Sequence, residues 1–199
     1  TQLTALIHSY ALANHPAPNL FTAVALEHNR LISTATPSDL GSLLNNYAKA
    51  NAFNRPLFES VANAAESLVT TGTTADLARV AWSLTMMGHR NEHFFNTIET
   101  SCKKIIHSGD FQNLSTIVWA VATTEFKADL LFFSVSKQHS RIKDSVTPKG
   151  LCNIAWAFAT RKIKSKDLFD AIASKSPRIA KEATMKQITS ILWAFTQNN

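Results

Sequence analysis

Cationic side chains are the first residues of this 199-residue chain that could do chemistry. The segment "RKIKSK" places Arg161, Lys162, Lys164 and Lys166 within six residues. Lys149 and Lys186 stand 37 residues apart. Ammonium and guanidinium groups suit phosphate, and lysines near helix N-termini can join free backbone N–H groups in holding it. The net charge is +6 and unevenly placed: residues 1–124 carry 7 Lys+Arg and 8 Asp+Glu, residues 125–199 carry 13 and 6. The basic part invites a polyanion, whether nucleic acid, acidic protein or a membrane surface. The alternative is a solvated basic face.

Other chemistry finds little support. "HRNEH" holds His89 and His93 four apart, but Glu92 is misplaced for a zinc protease helix. There is no GxxxxGK[ST] phosphate loop. Cys102 and Cys152 make no disulfide framework, which points to an intracellular or organellar compartment. No apolar run approaches the ~18–20 residues of a membrane span. Hydrophobic residues at 45% and charged ones at 17% indicate a folded globular chain. We therefore expect no catalysis, metal, cofactor, small-molecule substrate or membrane partner. The chain opens on Thr1, so it is expected to be part of a longer precursor, with any targeting peptide out of view.

The elements that position these residues are written periodically. Trp82, Trp119, Trp156 and Trp193 are each 37 apart, and the same steps backward reach Asn45 and His8. Five places before them stand Leu3, Leu40, Leu77, Leu114, Leu151 and Ile188. A second phrase runs Phe21, Phe58, Phe95, Phe132 and Phe169, again 37 apart. Apolar offsets −5, −2, −1 and +2 from the tryptophan form one helical stripe, which predicts a helix, termed A. The phenylalanine phrase predicts a second, termed B. Thr36, Thr73, Asp110, Thr147 and Thr184 read as N-caps of the A helices. Asp39, Asp76 and Gln187 three residues on complete capping boxes. Pro37 and Pro148 suit the first helical turn, and Gly72 and Gly109 suit the end of the helix before. A lone pair cannot bury its stripe, but stacked pairs can. The expectation is an all-α chain, a right-handed α-solenoid of 37-residue helix-loop-helix repeats. It has five full pairs plus one terminal helix, as a single domain over residues 1–199. The tryptophans are expected to pack between successive A helices, against small neighbours.

The phrase LxxxxWAxA, carried by Leu77/Trp82, Leu114/Trp119/Ala120/Ala122, Leu151/Trp156/Ala157/Ala159 and Ile188/Trp193/Ala194, resembles the heptatricopeptide repeats. The closely similar octotricopeptide repeats share it. Both occur in organellar proteins, including FAST-kinase-like and RAP proteins. Tetratricopeptide and pentatricopeptide repeats have shorter periods, 34 and about 35 residues. The resemblance covers the chain and is clearest over residues 73–199. It implies a mitochondrial location, with a plastid as alternative, and RNA binding in processing, stabilisation, translation or a ribosome. No RAP domain is visible, so no nuclease-like activity follows.

Helix geometry supplies candidate RNA contacts. With offset −5 set at 0° and 100° per residue, offsets −3 and +4 fall at about 200° and 180°, away from the stripe. Offset −3 reads Ser42, Arg79, Thr116, Asn153 and Ser190; offset +4 includes Lys49 and Thr160. One variable residue per helix is the logic of helical-repeat RNA readers. Together with Lys149, Lys186, Arg161, Lys162, Lys164 and Lys166 they form the predicted RNA-binding set. A polar face wetted only by water is the alternative. The rival function is a scaffold that braces the proteins of an organellar ribonucleoprotein complex.

Overall fold

The computed structural model describes residues 5–7, 9–10, 17–142 and 146–198. The sequence assignments at Leu3 and His8 lie outside them. The described residues are all-helical, with no strand. They gather into two compact units, residues 1–98 and 99–199.

In the first unit, α1 (Pro18–Leu26), α2 (His28–Thr34), α3 (Pro37–Lys49), α4 (Arg55–Asn63), α5 (Ala65–Thr71) and α6 (Thr74–Met86) lead into α7 (Glu92–Thr100), within which the boundary falls. The second holds α8 (Cys102–Ser108), α9 (Phe111–Thr123), α10 (Asp129–Ser136), a 3₁₀ turn at His139–Arg141, α11 (Pro148–Thr160), α12 (Lys166–Ala173), α13 (Ser176–Glu182) and α14 (Met185–Asn198).

The A helices are α3, α6, α9, α11 and α14. Their starts are where the sequence wrote them. Asp39 N–H donates to Thr36 Oγ1 at 3.2 Å, and Asp76 N–H to Thr73 Oγ1 at 3.3 Å. Both aspartates return the bond to the backbone N–H of the cap, completing the box. Asn113 N–H donates to Asp110 Oδ1 at 2.8 Å, and Thr184 and Gln187 bond reciprocally. At Thr147 the third residue on is Gly150, which has no side chain to answer. Gln112 of α9 supplies one instead: its Oε1 accepts the Thr147 N–H at 3.0 Å and the Thr147 hydroxyl at 2.9 Å. A Cβ on Gly150 would stand 2.7 Å from that oxygen, so the glycine makes room for its neighbour's amide.

Each A helix is too short to stand alone. Its stripe is buried instead: Leu40, Leu43, Leu44 and Tyr47 on α3 match Leu114, Ile117, Val118 and Val121 on α9. In the first unit α3 packs on α6. In the second α11 packs against both α9 and α14. First turns meet first turns, since Gly41 faces Asp76 and Arg79, and Thr147 faces Gln112. Adjacent A helices within a unit therefore run the same way.

The B segments correct the expectation of one helix each. They break at Glu27, Ala64, Ser101, Gln138 and Lys175, where ψ lies between 8° and 20°. Pro177, in the first turn after Lys175, accounts locally for the last break; the other four have no proline or glycine beside them and are made by packing. Both halves contribute to the core, as Phe58 and Val61 do before Ala64, and Ala65 and Leu68 after it. Gly72 and Gly109 are C-caps, but with extended backbone at φ −87° and −81° rather than in the left-handed region. That region is used after the A helices, at Asn51, Gly88, Glu125 and Lys162, with φ between 52° and 64°. The following N–H reaches back to a last-turn carbonyl, as Ala52 does to Tyr47, His89 to Leu84 and Ile163 to Phe158.

Tyr47 joins segments α1 and α3. Its hydroxyl donates to the Phe21 carbonyl at 2.6 Å, and the two rings meet edge-on at 4.9 Å. Burial pushes its phenol well above the usual tyrosine range. The folded state thus favours the neutral form. Its contribution is whole below pH about 10 and is lost as pH rises beyond that value. Tyr47→Phe is expected to lower stability by about 1 kcal/mol at pH 7 and to flatten the alkaline decline. Urea unfolding across pH 7 to about 11 checks both; an unchanged alkaline slope contradicts the assignment.

Candidate nucleic-acid interface

Once the stripe is buried, each A helix keeps a row of four positions on its outer side, and the terminal α14 also leaves Met185, Thr189, Leu192 and Thr196 exposed. On α11 the row is Lys149, Asn153, Trp156 and Thr160, at successive spacings of four, three and four. Lys149 and Thr160 are exposed; Asn153 and Trp156 are half-buried. On α9 the same rows hold Gln112, Thr116, Trp119 and Thr123, and on α14 Lys186, Ser190, Trp193 and Gln197. Because α11 lies against both helices, the second unit presents a row of three indoles bordered by hydroxyl, amide and ammonium groups.

The tryptophans, expected between successive A helices, keep part of their surface in solvent. Trp119 and Trp156 are half-buried, and Trp193 is 41% exposed. Their small neighbours Ala120, Ala157 and Ala194 are fully buried. Each indole therefore has one side in the structure and one toward solvent. In the first unit α6 carries Trp82 in this row, between Arg79 and Met86, and α3 carries Asn45 between Ser42 and Lys49.

The cations divide. Lys149 and Lys186 are exposed at the second helical position of α11 and α14, as expected. Arg161 is the C-cap of α11, and Lys162 follows in the left-handed conformation. The loop is pinned to the last helix: Asn198 Nδ2 donates to the Ile163 carbonyl at 3.0 Å, and Asn198 Oδ1 accepts the Ser165 N–H. Lys164 lines a groove of about 370 Å³ beside Phe169, Phe195 and Asn198. The spacing of the repeats puts all four cations of RKIKSK in the loop between the helices of the fifth pair, but Lys166 lies beyond that loop. It begins α12 and is paired with Asp170, whose hydrogen bond raises the ammonium pKa and answers its charge. Arg79 is likewise tied to its own cap, with Nη1 2.7 Å from Asp76 Oδ1. The Asp76 side chain is 4% exposed, so this guanidinium is a fixed part of the helix start.

The histidines go separate ways. His89 Nε2 is 2.8 Å from Glu59 Oε2, and His93 Nε2 is 3.0 Å from Glu66 Oε2. Cys102 is buried and Cys152 half-buried, both as free thiols. No described helix is long and apolar enough to cross a membrane.

The indole row generates a direct optical expectation. In variants that keep a single tryptophan, with phenylalanine at the other three positions, acrylamide should quench Trp193 more strongly than Trp119 or Trp156. All three should be quenched more than a fully buried indole. Equal, near-zero quenching would contradict the outward row. No family model matches the chain, and no curated protein matches it.

Proposed function

We propose that the chain is a right-handed α-solenoid of 37-residue units, five pairs and a terminal helix, that binds single-stranded or irregular RNA along its A-helix face. The function is non-catalytic, serving RNA stabilisation, maturation or translation in a mitochondrion or plastid, with a ribosome-bound role included. The observation that carries the reading is the outer face of α9, α11 and α14. It combines half-exposed indoles, neighbouring hydroxyl and amide groups, and the ammonium groups of Lys149 and Lys186. Each group has a use on RNA. Base stacking on an aromatic face is worth about 1–3 kcal/mol per base and tolerates any sequence. Thr116, Asn153, Ser190 and Thr160 can bond base edges, and lysines hold phosphates. Lys162 and Arg161, with Lys164 in the pinned loop, extend the cationic end. Lys49 and Ser42 offer the same chemistry in the first unit. The resemblance to heptatricopeptide and octotricopeptide repeats supports both the fold and the organelle.

The test is fluorescence anisotropy with a labelled single-stranded RNA at several salt concentrations. Affinity should fall steeply with salt. Lys149→Glu/Lys186→Glu should weaken binding at least tenfold and reduce the slope by about 1.4, roughly 0.7 for each phosphate of a single strand that no longer meets a lysine. Tight, salt-insensitive capture of a protein, with no RNA bound, would replace this reading with the scaffold.

A further inference from the structure

We propose that a groove between α8 and α10, away from the A-helix face, binds a nucleotide. It has a volume of about 600 Å³, within the range of small-ligand sites. Its walls carry Lys103, His107, Phe133, Lys137, Gln138 and Arg141, and no carboxylate among the described residues lines it. All of these come from the kinked B segments of the second unit.

Three features point to a nucleotide. First, one wall is a fixed cation. Arg141 Nη1 donates to the Ile106 carbonyl at 2.6 Å and to Gln138 Oε1 at 3.2 Å, and Nη2 donates to the Gly109 carbonyl. The guanidinium is thus held in place before any ligand arrives. Second, Phe133 is 62% exposed, and the Lys137 ammonium stands 5.4 Å from its ring centroid. A large apolar ring left in water beside a cation offers a stacking surface next to a phosphate ligand. Third, the groove departs from the periodic template. Thirty-seven residues earlier the positions of Lys103, His107, Phe133 and Lys137 hold Glu66, Thr70, Asn96 and Thr100. Thirty-seven later the positions of Lys103, Phe133 and Lys137 hold Ser140, Asp170 and Ser174. Arg141 has a counterpart 37 residues on in Arg178, but stacking of the units does not demand Lys103, His107, Lys137 or an aromatic here. An acidic peptide would need further apolar anchors, and beyond Phe133 the lining offers only Ile106, itself 5% exposed.

The base would lie on Phe133, its phosphate between Lys103, His107 and Lys137, with Gln138 as a donor to either. The nucleotide could be free or one residue of an RNA strand, and the probes separate these sources. Mant-labelled AMP and a fluorescein-labelled ten-nucleotide uridylate strand are titrated with the intact chain. The variants are Lys103→Glu/Lys137→Glu, Phe133→Ala and the conservative Lys103→Arg/Lys137→Arg, with circular dichroism as the folding check. The charge reversal and Phe133→Ala should each weaken binding at least tenfold, and the arginine pair should retain it. Loss with both probes, or with AMP alone, identifies a free-nucleotide site; loss with the strand alone identifies a strand contact. Folded variants that bind both probes within twofold of the parent, or a parent that binds neither, overturn the proposal. Lys149→Glu/Lys186→Glu is measured alongside. If Lys149→Glu/Lys186→Glu alone weakens strand binding and the groove variants leave AMP binding within twofold of the parent, the groove fails and the A-helix reading stands; if the groove variants alone weaken strand binding, the A-helix reading fails and the groove stands.

Discussion

Short helices that cannot stand alone govern this molecule. Helices of 13 residues, and kinked pairs of 7 to 9, lie below the length at which an isolated helix persists in water. Their stability comes from covering one apolar stripe with the next helix. Full burial of each leucine, isoleucine, valine or phenylalanine contributes about 1.5–3 kcal/mol relative to exposure. Once the stripe of α11 is shared between α9 and α14, its opposite side is left over. Apart from Gln112, which serves the Thr147 cap, and Arg79, tied to Asp76, the stacking asks little of the residues on that side, so ligand chemistry can accumulate there.

The same constraint extends to polar groups. Successive segments satisfy one another's helix ends. Glu99 accepts the N–H groups of Leu130 and Leu131 at 2.7 and 2.9 Å, capping α10, whose own N-cap position is Ala128. Arg141 covers the Ile106 and Gly109 carbonyls at the end of α8, and Arg178, 37 residues on, covers Val146. Gln112 completes the cap of α11. Each bond ties groups more than 30 residues apart in sequence. A substitution at one of these side chains therefore frays a helix other than its own.

Local chemistry is legible in the sequence and tertiary chemistry is not. Thr36, Thr73, Asp110, Thr147 and Thr184 announce the A-helix starts because the cap bond spans only three residues. The kinks at Glu27, Ala64, Ser101 and Gln138 have no such signal, since their residue types are ordinary helix formers and cap residues; only the break at Lys175 is announced, by Pro177. Gly88 advertises a left-handed backbone, whereas Asn51, Glu125 and Lys162 adopt it under the demand of the helix end. Gln112 cannot be matched to Thr147 until their helices lie side by side. At the candidate interface, helix position alone finds Lys149 and Lys186. The pairing of Lys166 with Asp170 is readable as a four-residue spacing. The helical wheel sets the tryptophans at about 140°, nearer the outer side than the core, and the structure leaves them partly exposed there.

The functional account joins these points. The outer face carries indoles and donors in register on three neighbouring helices, with lysines on two of them, α11 and α14. Photocrosslinking with 4-thiouridine-substituted single-stranded RNA, followed by mass spectrometry of the crosslinked peptides, examines that face most directly. The account predicts crosslinks on the peptides containing Trp119, Trp156 and Trp193. RNA that binds the chain yet crosslinks to none of these three helices, or no crosslinking at all, would contradict it.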